Sequence, residues 1–537
     1  MKPKEMEILD YTKINKRNGM MFRILKEILF SAKEAIGPEK RKQEKLEKSL
    51  QRNIQRLKQI FKHDDTVVFR EVVNERLHPS SFVILFTEGM VNKQILSEHL
   101  LEPLMGASEK DHLSHKNFLD ELTNKVMQSG HIKKSDTLEE VITAILYGEA
   151  VLLAEGMDEA LIANTKGWQS RPITEPQSES MVRGPREGFT ESMIVNISML
   201  KRKIKSPDLK FRFIEIGERT KTRVCVSYLE NIANEKIVQE VFRRLNEIKI
   251  DGILDSGYIE ELIKDAPLSP WKTIGDTERP DVTAGKLLEG RIALICDGSP
   301  FVLTIPFIVI EYFQANEDYY GNYFFASFNR ILRIFAFFLS TSVPAIYVAL
   351  VTYHQEMIPT PLVISIAAAR EGVPFPTIVQ AFAMLIAFEL LREAGVRLPR
   401  PIGQAISIVG ALILGESAVR AQLVSAPMVI VTALTAISSF LVPKMMGELI
   451  ITRFMLLTLA GVFGLYGYMF GVFGVMIHLM AIRSFGIPYM LNISSLNKQD
   501  LKDTAIRAPW WYMYYRPKLI GDKNAARKEN TKMQERR

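Results

Sequence analysis

The chain has 537 residues, 24% of them charged, a formal net charge of +7 and two cysteines. That length predicts two or three domains. Two cysteines exclude a disulfide framework, and a mild basic excess without aromatic interleaving or a recognition motif argues against nucleic acid. Residues 1–62, with 17 Lys or Arg and 8 acidic residues, read as a basic, partly helical or flexible N-terminal segment. Solvated surface explains its charge, and weak attraction to anionic lipid is a second reading. No apolar h-region opens the chain, so no signal peptide is expected, and roughly 300 residues should stay on the cytosolic side.

Residues 63–170 and 206–297 read as two related α/β subdomains. Phe69-Arg70 matches Phe211-Arg212, Glu88 matches Glu230, Asn92 matches Asn234 and Ile95 matches Ile237, all 142 residues apart. Each copy runs strand, turn, strand, helix. SFVILF and RVCVSY supply β-formers, and NKQILSEHLLEPL and NEKIVQEVFRRL have helical period. Asn92 and Asn234 are expected as helix caps. Cys225 and Cys296 lie in apolar strands and are expected as buried free thiols. Residues 171–205 read as a linker and a capped helix. Thr190 is the expected cap, and Met193, Ile194, Ile197, Leu200 and Ile204 recur at helical spacing. Lys201, Arg202, Lys203 and Lys205 fall at the helix C-terminal end, where positive charge is favoured.

Residues 298–490 read as an α-helical multi-pass membrane domain. Ile331–Tyr353, Gln422–Val442 and Phe454–Met480 are nearly free of charge and long enough to cross about 30 Å of hydrocarbon. Thr377–Leu391 and Ile402–Gly415 are shorter, and Phe301–Phe313 suits an interfacial or re-entrant segment. Four to six crossings fit, with an even number if both ends are cytosolic. Residues 491–537 read as a basic cytosolic tail, because Lys and Arg predominate from Lys498 onward. Glu389 lies inside an apolar run, where carboxylates are costly and often line a pathway. With Arg392, Glu393, Glu416 and Arg420 it forms a candidate pore or gating set. Gly461, Gly464, Gly467, Gly471 and Gly474 fall within about 140° of one helix face and predict close packing on a partner helix. Pro344, Pro427 and Pro443 are expected to permit kinks. No Gly-rich phosphate loop, GxSxG, HExxH or metal spacing occurs, so no catalytic, metal or cofactor site is expected.

Several stretches resemble the A subunit of the GerA-type spore germinant receptors: RGPREGFTES, NISMLKRKIK, ICDGSPFVLTIP, PTPLVISIAAAREGVPFP, IAFELLREAGVRLPRPIGQAISIVGALILG and SAPMVIVTALTAISSFLVP. The resemblance runs from about residue 65 to 490. It implies a role in germination, with B and C subunits as partners in the spore inner membrane. It also implies a homo-oligomer that works as a gated ion channel. On this resemblance Arg183, Arg186, Glu187, Glu191, Lys201 and Arg202 would form a coupling surface facing partners or headgroups. Two other classes stay open, a non-conducting scaffold and a transporter. The transporter class predicts inverted repeats, which the apolar region lacks.

Overall fold

The computed structural model describes residues 44–513 and 516, apart from 76, 78, 107–131, 168–178, 180, 182, 399–409, 411–412 and 492–502. His112, His115, residues 1–43 and most of the basic tail therefore lie outside the described residues.

Two β-hairpins each seed a five-stranded antiparallel sheet. In the first, β1 (Val67–Val73), β2 (Ser81–Thr87), β3 (Ile132–Ser135), β4 (Ala150–Ala154) and β5 (Ala160–Ala163) take the order β1-β2-β4-β5-β3. In the second, β6 (Leu209–Ile216), β7 (Thr222–Leu229), β8 (Gly275–Thr277), β9 (Ile292–Cys296) and β10 (Val302–Ile305) take the order β6-β7-β9-β10-β8. The registers coincide as well. Val67 faces Thr87 and Leu209 faces Leu229, while Val83 faces Leu153 and Cys225 faces Ile295. Ser135 faces Ala160 and Thr277 faces Val302. Every partner in the second sheet stands 142 residues after its counterpart. Alternate residues of the inner strands feed two different cores, one on each face, and a slip of one residue would exchange them, so packing on both faces holds the registers. Gly148 and Gly290, again 142 apart, both sit at positive φ after a helix, where a side chain is strained.

The expected caps are present. The Asn92 side chain accepts from the backbone N–H groups of Gln94 and Ile95, and Asn234 accepts from that of Lys236. Thr190 does not cap the linker helix. The N–H of its first residue, Met193, donates instead to the Asp297 carboxylate, 104 residues away. Phe301–Phe313 is not a membrane segment. Val302–Ile305 is an inner strand of the second sheet, and Val309–Phe313 is a buried 3₁₀ turn. The second sheet therefore extends past residue 297.

Helices cover both faces of each sheet. One face of the first sheet carries α1 (Leu50–Ile60) and α2 (Leu138–Leu146). One face of the second carries α3 (Met193–Lys203). Its other face carries α4 (Glu235–Glu247) and α5 (Ser256–Ile263). The helix α6 (Pro280–Leu288) lies on the α3 face, where Ala284 and Leu287 pack with Ile197 and Leu200. On the α4 and α5 face the core runs on without a break into the feet of the long apolar helices: Ala336, Met445, Leu449 and Leu479 share one cluster with Ile305 and Tyr312. Cys225 and Cys296 are buried and unpaired in this sheet. Burial holds the Cys225 thiol well above the ordinary range and pushes Cys296 up to about 12. The native protein should thus resist iodoacetamide at pH 8 and take up two equivalents once unfolded, as read by mass spectrometry.

The long helices are α7 (Tyr323–Tyr353), α8 (Thr360–Arg370), α9 (Thr377–Arg397), α10 (Ala426–Ser439) and α11 (Met446–Ala481). Among the described residues, Tyr323–Tyr353 and Pro443–Ala481 are long and apolar enough to cross a membrane. Of the three prolines, only Pro344 is inside a helix; Pro427 and Pro443 open helical turns, where a missing N–H costs nothing. The glycine-rich run is not one straight helix. Gly464 has φ 60° and ψ −144°, and the chain reverses there. Leu456 and Ala460 of the first arm consequently pack with Leu465, Tyr468 and Val472 of the second. A Cβ on Gly467 would lie 2.1 Å from the Leu459 carbonyl oxygen, and one on Gly471 would lie 2.7 Å from Leu456. Gly461 faces Ile378 of α9, and Gly474 has open space. The glycine face thus serves mainly the chain's own hairpin. Gly464→Ala should cost about 1–3 kcal/mol in backbone strain. A fall in the thermal midpoint of the detergent-solubilised protein, larger than that of Gly474→Ala, would register it.

Candidate functional site

Two polar clusters stand out, one joining the second sheet to the helices and one joining the helices to each other. The lower one is the joint beneath α7. Arg330 is fully buried; its Nε donates to Asp318 at 2.9 Å and its Nη1 to Asp503 at 2.7 Å. Arg333 makes a second ion pair to Asp318 at 2.9 Å. The Tyr319 hydroxyl donates to the other Asp503 oxygen at 2.7 Å. Burial pushes the Asp503 carboxyl up, against the pull of Arg330. Arg279, at the start of α6, donates to the carbonyls of Glu179 and Pro185 and to Asp281, while Tyr320 donates to the same Asp281 oxygen at 2.8 Å. Glu311 accepts from Lys286 and Arg291, and the Tyr312 hydroxyl donates to Glu448 of α11 at 2.7 Å. Burial pushes the Lys286 ammonium down, and neighbouring Arg291 acts in the same direction.

The expected coupling surface divides. Pro185 lies on Arg279 and Gly184 approaches the Tyr320 ring, so the GPREGF turn sits at this joint. Glu187 pairs with Arg202 and Lys203. The Glu191 carbonyl accepts from the Gly298 N–H, and Arg183 and Arg186 are exposed. Lys201 is not a surface residue. Its Nζ is buried 3.0 Å from Asp64 and also donates to Thr66, both in the segment leading into β1. The same segment docks on β6, where the Phe213 N–H donates to Asp65. Periodicity placed Lys201 at a charged helix end but could not see the first sheet folding over it.

The upper cluster lies among the apolar helices. Arg453 of α11 is fully buried; its Nη1 donates to Glu389 of α9 at 3.0 Å and its Nε to the Ser340 carbonyl of α7 at 2.7 Å. Arg392 contacts the other Glu389 oxygen at 2.5 Å, as an ion pair without hydrogen-bond alignment. Glu389 is thus a clasp between three helices rather than a free charge. Glu393 pairs with Arg397 and Glu416 with Arg420 along exposed helix faces. The structure therefore brings Glu389 and Arg392 together and leaves Glu393, Glu416 and Arg420 apart from them. Arg453 was missed because it stands one residue before the apolar run. A lone arginine inside a helical apolar pattern was the available signal. No group of His, Cys, Asp and Glu suited to a metal occurs among the described residues.

Residues 55–519 match the family model for the Bacillus/Clostridium GerA spore germination protein. Spore germination protein KA of Bacillus subtilis (strain 168) is 42% identical over 482 residues, covering 89% of this chain and 88% of that protein. The uncharacterized membrane protein YfkQ of the same organism is 43% identical over 452 residues, covering 83% and 87%. The crystal structure of the N-terminal domain of the A subunit of the Bacillus megaterium spore germinant receptor GerK3 is also similar. It is 34% identical and covers 49% of this chain and 97% of that one, with a TM-score of 0.40.

Proposed function

The chain belongs to the Bacillus/Clostridium GerA spore germination protein family, and from that premise we propose that it is the A subunit of a nutrient-responsive germinant receptor. In this reading several copies assemble in the spore inner membrane, with B and C subunits, and form or gate an ion-conducting pore. Five apolar legs are described, α7, α9, α10 and the two arms of α11. The helix α10 begins beside the start of α9, where the Ser425 N–H donates to Gln380, so in this reading the connection between them makes the sixth crossing. Arms of 17 or 18 residues span roughly 26 Å, near the thickness of a hydrocarbon core. An even count puts both sheets and the segment around Asp503 on the cytosolic side, consistent with the basic tail.

One observation carries the oligomeric pore. The helix α8, TPLVISIAAAR, has no buried residue in the single chain. Its 11 residues are too few to cross a bilayer alone. Copies arranged around an axis would cover one side of it and leave the other to line a passage. The Glu389–Arg453 clasp then fixes α7, α9 and α11 relative to one another, and the joint at Asp318 and Asp503 passes displacement of the second sheet to the foot of α7. The test is cation flux from liposomes holding the full A, B and C complex, together with cross-linking through Ile364→Cys. Nutrient-dependent flux and cross-links between A copies are expected. Flux no greater than from empty liposomes, in a complex that still binds nutrient, would replace the pore with a non-conducting signalling scaffold.

A further inference from the structure

The outer face of α5 carries large apolar side chains on either side of one exposed carboxylate, Glu261. Ser256, Ile259 and Ile263 point into the core. On the opposite side Leu254, Tyr258 and Leu262, spaced four apart, are 70%, 42% and 50% exposed, and Leu268 in the following loop is 100% exposed. That loop is pinned to the foot of α11 at two points. The Ser269 hydroxyl lies 2.8 Å from His478 Nε2, three residues before the end of α11, and the Phe485 N–H donates to Asp265 at 2.7 Å. Lys264 Nζ closes the loop by donating to the Ser269 carbonyl at 2.6 Å. Leu268 is therefore held, without any packing partner, at the level of the last helical turn of α11. The same arm of α11 exposes Phe473, Ile477 and Met480 on other sides of the helix.

We propose that this edge of the second sheet, from Leu254 to Leu268, is seated in the cytosolic interface of the lipid bilayer. The inference rests on the membrane placement of α11 proposed above. A fixed leucine at that depth continues the apolar belt of α11 into the headgroup region. A short helix with Leu and Tyr outward, and one outward carboxylate that can reach the headgroups and water, is suited to lie in the plane of an interface. Tyrosine there puts its ring on acyl chains and its hydroxyl on water. The lipid would thus form one wall of the joint, in contact with the same sheet whose opposite face meets α3 and, through Lys201, the first sheet.

The test uses the full chain in liposomes with one cysteine spin-labelled at a time; Cys225 and Cys296 are buried. Leu268→Cys removes no contact. Phe473→Cys reports the apolar belt and Val73→Cys, exposed on the first sheet, reports water. The ratio of oxygen to nickel-chelate collision rates at 268 is expected to fall between those two references. A ratio equal to that at 73 overturns the proposal. So does low access to both reagents with dipolar broadening between labels, which would place another copy of the chain on this edge. If 473 itself reads as aqueous, the membrane placement fails along with the proposal; a lipid reading at 473 with water at 268 sinks the proposal alone.

Discussion

Glu389→Gln should be among the most damaging single substitutions in the helical region. It leaves the fully buried Arg453 guanidinium without a full counter-charge. Breaking one partner of a buried pair costs about 3–5 kcal/mol. The midpoint of unfolding in detergent should fall accordingly, and α7, α9 and α11 should lose their fixed spacing. The companion variant Glu389→Gln with Arg453→Met removes both charges and should recover part of the loss, because a dry apolar site outperforms half an ion pair. Equal losses in the single and double variants would show that Arg453 is compensated by something other than Glu389.

Lys201→Met is expected to be as costly at the other end of the molecule. The Nζ atom is buried against Asp64 and Thr66, and Asp64 in turn accepts from the N–H and hydroxyl of Thr66. Removing the ammonium strands the Asp64 carboxylate, again about 3–5 kcal/mol. The loss falls on the contact between the two sheets, so protease sensitivity around residues 61–66 should rise before either sheet melts. Lys201→Met paired with Asp64→Leu should restore much of the resistance. A change within about 0.5 kcal/mol for the single variant, typical of surface sites, would show the pair to be solvated.

The duplication was legible because registers are local. Five matched residue pairs at one spacing sufficed to foresee two related units, and the strand partners keep that spacing across the whole sheet. Asn92 and Asn234 were legible as caps for the same reason, since each acts on the next turn. The long-range polar contacts were not. Asp297 caps a helix 104 residues earlier, and Asp503 meets Arg330 across 173 residues. Arg330 and Arg453 each stand just before an apolar run, so a reading by hydropathy clips them off as flanks. Gly464 was counted as one of a packing stripe, yet its positive φ is what folds the stripe on itself.

The absence of any linker between the second sheet and the helices has a consequence for exchanging parts among relatives. Ile305, Tyr312, Ala336, Leu449 and Leu479 occupy a common core. A chimera cut near residue 298 would mate two unmatched halves of that core and should misassemble. A cut ahead of Glu179 leaves the linker contacts to Arg279, Lys444 and Arg202 intact. It crosses a smaller polar seam, made by Lys201 with Asp64, Lys210 with the Ile60 carbonyl, the Phe213 N–H with Asp65 and Lys205 over the Tyr147 ring. The natural cassette boundary therefore falls between the repeats, and the second repeat travels with the helices as one heritable unit.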